Sequence, residues 1–547
     1  MTEPAPPTEV DPFERYGTSI AIALVIVGFV LRARGLSEYW LNPDEGIYYS
    51  TLTRDSIGAF WAEVSANAHP PLFYLVMRGV GLLTWDFVWL RVVSLISGTV
   101  AIWAFWLVGR ELGGRGRAGV VAGLVSATLL SINAYAVTLS QVIRPYMMML
   151  ALLALGLFHL LRYRSDPSGR RLALYAACLV PAVLIHYSAV LALAGFCIVA
   201  AYYALTRTVE VAALRRLALV QIAPALVFVA LYMRHVATII DSDLMGDALD
   251  ADGWLTPWLV ATPGDAWYSF ATFQAFHVPP DFRGRAALLL LVALAVALAR
   301  DRLVAVITGA GLTIALTASV LGLYPFGPTR HDAWLIVFTL PALGWLVGCM
   351  IELGPRAARI GAGVLAVALV AGGPLERVFG ADLDQRYATE EQVIRQSDLA
   401  TMVVSQMDPQ VGPATVLMTE QSYNLLMPLY VEQRQDARFS PDSTLFAFPY
   451  GSRMVVVARK WDWDGLDDAV RTIANLPSVP GLRGPSNAPV LVMAGGWGSL
   501  LFADIPRLEA SGALLEAVRV LGRDAAGRPT VRMMGMVLDG SAIRDPA

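Results

Sequence analysis

Charge is what this 547-residue sequence has least of: charged residues make up only 16% of it, against 56% apolar ones. A soluble globular domain carries roughly 25% charged residues. Water is therefore excluded as the main solvent, and a lipid bilayer takes its place. No basic tract occurs, which argues against nucleic acid as a partner. Cysteine is almost missing. Cys178, Cys197 and Cys349 are the three present, and all lie in apolar runs, so neither a disulfide framework nor a cysteine metal cluster is implied. The first apolar run, near 17–33, has no small-residue cleavage site and reads as a retained helix, not a signal peptide. There is no internal repeat of fixed period, and low complexity is confined to the Pro-rich start.

What the sequence has instead is a succession of apolar runs. With roughly 20 apolar residues per span, about eleven transmembrane helices are expected, near 17–33, 88–109, 118–137, 145–161, 172–187, 189–205, 217–234, 286–299, 303–322, 333–350 and 358–373. The 41 basic residues are almost entirely arginine, and their positions set the orientation. Short loops on one side carry Arg110, Arg115 and Arg117; Arg162, Arg164, Arg170 and Arg171; Arg207, Arg215 and Arg216; Arg300 and Arg302; Arg356 and Arg359. By the positive-inside rule that side is cytoplasmic. The long loop from His235 to Asp281 lacks Arg and Lys and holds seven aspartates, with Trp254, Trp258, Trp267 and Tyr268 suited to an interfacial belt. That side is external. Three segments follow: a cytoplasmic start (1–16), a transmembrane domain (17–375) with an external loop at 34–87, and an external tail (376–547). In the tail, strand-like runs (ATVLM, RMVVVA, PVLVMA) alternate with helix-like stretches such as DGLDDAVRTIANL, which predicts a small α/β domain.

The unusual polar residues belong to the external face. In SEYWLNPDEGIYYS, Pro43 starts a short interfacial helix on which Asp44 and Tyr48, or Glu45 and Tyr49, share a face. A carboxylate at full membrane depth costs about 2.5–3.5 kcal/mol. Asp44 is therefore either a general base or a solvated helix start, where the dipole favours it anyway. In HPPLFYLV, His69 stands at the mouth of a surface or re-entrant helix whose first turn suits Pro71; a structural hydrogen bond is the alternative. Arg91, Arg144 in SQVIRPYMMML and Arg330 in LYPFGPTRHDAW each open an apolar helix. Singly they are explained by snorkelling to headgroups. Converging on one pocket, they would clamp a phosphate, which the guanidinium fork matches.

Asp44 and Glu45, then His69-Pro70-Pro71-Leu72, then Gln141 to Tyr146, then Tyr324 to Arg330, taken in this order and on a common side, resemble the GT-C superfamily of membrane glycosyltransferases. The similar branch is bacterial, alongside the protein O-mannosyltransferases and the aminoarabinose transferase of lipid A. The resemblance covers roughly residues 15–375. It implies a polytopic α-helical GT-C fold in the plasma (inner) membrane, a polyprenyl-phosphate sugar as donor, and inversion at the anomeric carbon. The acceptor would be an extracytoplasmic glycan, lipid or protein of the cell envelope. The catalytic acid pair of the family falls on Asp44 and Glu45, with Asp44 as base. Donor-binding positions fall on His69, Arg144 and Arg330, with Arg91, Tyr146 and His331 as extensions by position. Tyr48 and Tyr49 would position acceptor or sugar hydroxyls. Pro328 and Thr329 depart from the more Gly- and Arg-rich pattern of relatives, and the tail matches no acceptor motif.

No cofactor is obligatory on this reading. A divalent cation at Asp44 and Glu45 stays open, because oligosaccharide-diphosphate relatives use metal there. The rival from another class is a transporter or flippase for a lipid-linked sugar, whose inverted hydropathy repeat is not seen in the sequence. A second rival is a membrane scaffold whose external domain binds a partner.

Overall fold

The computed structural model describes residues 12–237, 256–274, 283–371, 394–399 and 413–539, except 68, 115, 353–355, 398, 432–443, 461–462, 477–488, 496–499, 511 and 524–528. Trp254 and most of the aspartates of the long external loop lie outside the described residues. Two compact units make up the chain. One comprises Met1–Arg34, Ser65–Leu75 and Val92–Gly380, the other Gly35–Val64, Val76–Arg91 and Ala381–Ala547.

Helices dominate the first unit. The apolar runs named above fall on helices: α1 (Pro12–Ala33), then, after α2 (Pro43–Leu52), α3 (Ile57–Ala66) and α4 (Pro71–Gly81) of the loop at 34–87, α5 (Phe87–Leu112), α6 (Arg117–Ser131), α7 (Ala134–Leu139), α8 (Tyr146–Ser165), α9 (Gly169–Ile185), α10 (Ala189–Leu205) and α11 (Val211–Leu231), followed by helices Arg283–Arg300, Arg302–Val320, Ile336–Glu352 and Arg356–Ala371. Among the described residues, 6 helices are by length and composition long and apolar enough to cross a membrane. The expected single span at 118–137 is interrupted. Asn133 ends it by capping α7, its side chain accepting from the Ala136 N–H, and an apolar tally does not register a side chain that competes with the helix for its own backbone. The carbonyls left at the end of α6 are taken by Arg32. Its guanidinium, fully buried, donates to Leu130 O (3.0 Å), Ser131 O (3.1 Å), Gly28 O (3.1 Å) and Ser140 Oγ (3.1 Å), in the manner of a basic C-terminal cap.

Close approach of α6 and helix Ile336–Glu352 depends on Gly344 and Gly348, four residues apart on one face. A Cβ on Gly344 would stand 2.2 Å from Ser126 Oγ and 2.5 Å from Ala122 O, and one on Gly348 2.6 Å from Ala118 O. Small residues at such spacing let backbones meet where no hydrophobic drive between helices exists.

The second unit contains a six-stranded sheet of order β2-β3-β1-β4-β6-β5, built from β1 (Thr415–Thr419), β2 (Leu445–Tyr450), β3 (Arg453–Ala458), β4 (Val490–Gly495), β5 (Leu514–Arg523) and β6 (Pro529–Leu538). β1 runs parallel to β3 and β4, and the outer pairs are antiparallel. The three strand-like runs read from the sequence are β1, β3 and β4. Alternate residues Leu417, Val456, Val492, Met534 and Met536 form one core with Trp463, Ala469, Ile473 and Leu508. The period-2 pattern requires that sharing of a face.

Residues of the external loop belong to this same unit. Trp40 N–H donates to Ile394 O (2.8 Å), Gln396 N–H to Glu38 O (2.9 Å) and Trp40 Nε1 to Leu425 O (2.6 Å). α2 lies so close to helix Glu420–Tyr430 that a Cβ on Gly46 would meet Asn424 O at 2.4 Å. Residues 35–64 and 76–91 thus group with the tail, a partition that the apolar pattern, which placed 34–87 with the helical domain, does not carry.

Replacing Gly344 by Leu should destabilise the fold by at least about 2 kcal/mol, the cost of overpacking a close interface. The measurement is the unfolding temperature of the purified protein in detergent, and an unchanged value would contradict the close approach.

Candidate functional site

The residues singled out in the sequence divide between the two units. Asp44, Glu45, Tyr48, Tyr49 and Arg91 lie in the unit that contains the sheet; His69, Arg144, Tyr146, Arg330 and His331 lie in the helical one.

In the first group α2 begins as its sequence dictates. Asn42 caps it, its side chain accepting from the Glu45 N–H (2.9 Å), and the Glu45 carboxylate accepts in return from the Asn42 N–H (3.1 Å). This reciprocal box satisfies two otherwise orphaned donors. Pro43 fills the first turn, where its missing N–H costs nothing. Glu45 is 1% exposed, and both its oxygens are held by Arg91: Nε donates to Oε1 at 2.9 Å and a terminal nitrogen to Oε2 at 2.8 Å. The same guanidinium donates to Leu36 O (3.0 Å), Tyr39 O (2.8 Å) and Trp40 O (2.9 Å).

Five N–H groups meet five acceptors, which is the full donor capacity of an arginine. Arg91, expected to bind donor, is therefore a staple that fixes residues 36–45. Glu45, expected in the catalytic pair, is its buried counter-ion. A cation chelated by Asp44 and Glu45 would have to displace that guanidinium. Tyr49, expected to position hydroxyls, donates from its phenol to Trp85 O at 2.8 Å and is buried, so it braces α2. Tyr48 is buried on the same helix, and Asp44, in the first turn, is the half-buried member of the acid pair. The sequence cannot separate two adjacent carboxylates by partner; only the fold brings Arg91, 46 residues away in sequence, onto one of them.

The second group gathers where several helices end or begin. His69 precedes α4, Arg144 and Tyr146 open α8, His186 caps α9, Tyr324 follows helix Arg302–Val320, and Arg330 and His331 start the turn of 3₁₀-helix (Arg330–Leu335) that leads into Ile336–Glu352. The alternation of apolar runs expects all of these ends on one side, and in the structure they meet. The His186 ring lies 5.2 Å from that of His69 and 4.9 Å from Tyr146, centroid to centroid. His331 stands edge-on to Tyr146 (6.2 Å) and Tyr324 (6.3 Å). The guanidiniums of Arg144 and Arg330 act electrostatically on both His186 and His331. His69 is driven down to about 3, first by burial among its neighbours although an edge of the ring stays accessible, then by the Arg330 charge and by His235. It is neutral at any physiological pH.

Local interactions hold these side chains in place. Gln141 Nε2 donates to the carbonyls of Arg32 (2.9 Å) and Arg34 (2.5 Å), and Ser94 Oγ donates to Arg144 O (3.2 Å), which pins the corner of the Arg-Pro-Tyr element. On the other side the fully buried Asp332 accepts from the Gly327 N–H (2.9 Å) and the Thr329 hydroxyl (3.2 Å), shaping the turn from which Arg330 projects. Thr329, a departure from the pattern of relatives, thus has a part in that turn. The Tyr146 hydroxyl is buried without a hydrogen-bond partner among the described residues.

His186 and His235 were not among the expected residues. Both stand at the ends of apolar runs, as His69 does. The π-helical turn Tyr232–Val236, which brings His235 to the Tyr187 hydroxyl, leaves no mark on an apolar tally.

Neither a protein-family model nor a curated protein sequence matches this chain. Solved structures do. ArnT from Cupriavidus metallidurans in the apo state is 15% identical, with 96% of this chain and 99% of that one covered and a TM-score of 0.53. The same protein bound to undecaprenyl phosphate is 13% identical, covering 95% and 98%, with a TM-score of 0.50. The chain has the GT-C fold. The archaeal oligosaccharyltransferase AglB from Archaeoglobus fulgidus, in complex with an inhibitory peptide and a dolichol-phosphate, also matches, at 12% identity over 74% of this chain and 62% of that one with a TM-score of 0.43. Within the GT-C fold of this chain, the expected architecture of many membrane helices followed by a C-terminal α/β domain is present.

Arg91→Met should cost about 3–5 kcal/mol of stability, because it leaves the buried Glu45 carboxylate without a counter-ion. Thermal unfolding reads this loss. A variant as stable as the parent would remove the staple from the account.

Proposed function

We propose that the chain is a membrane glycosyltransferase that moves a sugar from a polyprenyl-phosphate carrier to an extracytoplasmic acceptor of the cell envelope, be it glycan, lipid or protein. The observation that carries this reading is the convergence of Arg144 and Arg330 with the imidazoles of His69, His186 and His331 at one end of a helical unit. Two permanent cations with neutral donors around them suit a phosphate monoester. The GT-C fold supports it, as does the undecaprenyl phosphate bound by an ArnT structure of the same fold.

The protein has two tasks in such a transfer. One is to stabilise negative charge as it develops on the carrier phosphate, which preorganised guanidiniums and N–H donors do without reorganising. The other is to accept the proton of the attacking hydroxyl. Asp44 is the base: its neighbour Glu45 is neutralised by Arg91, and Asp44 is the carboxylate of the pair that is not buried. Attack from the face opposite the leaving phosphate inverts the anomeric centre. Tyr48 positions hydroxyls. No divalent cation is required, since a phosphate monoester leaves with its charge held by arginine.

The amino terminus is cytoplasmic and the sheet-bearing domain extracytoplasmic in the plasma membrane. Arginine supports this orientation. Arg162 at the end of α8 pairs with Glu111 at the end of α5 (3.2 Å), so arginine-bearing helix ends collect together, as a cytoplasmic side requires.

The test is transfer of label from a radiolabelled polyprenyl-phosphate sugar to cell-envelope fractions by the purified protein. Asp44→Asn should lower turnover by about 10²-fold or more and leave binding of undecaprenyl phosphate within about twofold, a split expected of a group that acts in the transition state. Full turnover in that variant would remove Asp44 as the base, and a parent protein that consumes no donor would defeat the enzyme reading.

A further inference from the structure

His186 is 4% exposed and sits at the centre of the cationic cluster. The Ser188 backbone N–H donates to its Nδ1 at 3.1 Å. An amide N–H can only donate, so Nδ1 presents its lone pair, and the proton of the neutral ring is carried by Nε2. The Ser188 hydroxyl lies 2.8 Å from the same Nδ1 and 3.2 Å from Met149 Sδ, which fixes the ring further. His186 thus supplies an N–H donor of defined tautomer and no charge, beside two guanidiniums that already supply the charge. Packed against it at a tilt, with ring centroids 4.9 Å apart, is Tyr146, whose buried hydroxyl has no hydrogen-bond partner among the described residues. Buried polar groups of this kind are normally satisfied. Two adjacent neutral donors at a cationic cluster call for an oxygen-rich anion.

We infer that His186 is a ligand of the carrier phosphate, its Nε2–H completing with the Tyr146 hydroxyl the donor set that Arg144 and Arg330 begin. This inference rests on the reading that the cluster takes a polyprenyl phosphate. Neutral donors here are useful chemically: a third cation among two arginines would cost desolvation and repulsion, whereas an imidazole N–H adds a hydrogen bond without either.

Two isosteres separate ligation from mere packing. The Asn side-chain oxygen occupies the place of Nδ1 and keeps the acceptor for the Ser188 N–H, but the outer donor is gone. The Gln nitrogen reaches the place of Nε2 and retains that donor. Binding of undecaprenyl phosphate to full-length protein in nanodiscs is measured for parent, His186→Asn, His186→Gln and Arg144→Ala, each checked for an unchanged unfolding temperature. His186→Asn should weaken binding about tenfold, the worth of one hydrogen bond to a charged group, and His186→Gln should stay within about twofold of the parent. Equal affinity of His186→Asn and parent, or equal weakening in Asn and Gln, would overturn the inference. A parent that binds no undecaprenyl phosphate, or an Arg144→Ala variant that binds it as well as the parent, would instead overturn the proposed function beneath it.

Discussion

A guanidinium keeps its charge when buried, so each one that leaves water must be matched by acceptors or by a ligand. That constraint organises this molecule. Arg32 and Arg91 meet it within the protein. The first covers the carbonyls at the end of α6, and the second takes Glu45 and three carbonyls of the external loop. Both are structural. Arg144 and Arg330 lie near enough to His186 and His331 to act on both imidazoles, and an array of cations with neutral donors suits an anion.

In the helical unit, helix ends that the arginine pattern would put on one side meet, and they carry His69, Arg144, Tyr146, His186, Arg330 and His331. The loop that carries Asp44 is held in another way, by a capping box, by the Arg91 staple and by hydrogen bonds to Ile394 and Leu425 of the sheet-bearing unit. The C-terminal domain is therefore part of what fixes α2 in place. Its helix Glu420–Tyr430 and its pairing with residues 38–40 support the helix that carries Asp44, the carboxylate proposed as base, and positioning in catalysis demands such support.

Much of this was legible in the sequence. The apolar runs fell on helices because a span must satisfy its own backbone bonds within itself, and ATVLM, RMVVVA and PVLVMA fell on strands because the alternation of β-branched and small residues suits a pleated core. The convergence of Arg144 with Arg330 was implied by their common side. The division of labour between Asp44 and Glu45 was not legible, since it depends on Arg91 arriving from 46 residues away. His186 carries no mark in the sequence, because a histidine within an apolar stretch reads as core until its neighbours are known. The break at Asn133 is invisible to hydropathy, because capping is a contest between side chain and backbone. The grouping of residues 35–64 with the tail depends on backbone pairing such as Tyr39 with Arg395, which no composition shift announces.

The most direct measurement is a cryo-electron microscopy structure of the full chain in nanodiscs with undecaprenyl phosphate bound. The account predicts phosphate density within direct hydrogen-bond reach of both Arg144 and Arg330, with Arg91 still on Glu45. Phosphate density anywhere else on the protein, or an Arg91 released from Glu45 to hold it, would contradict the account.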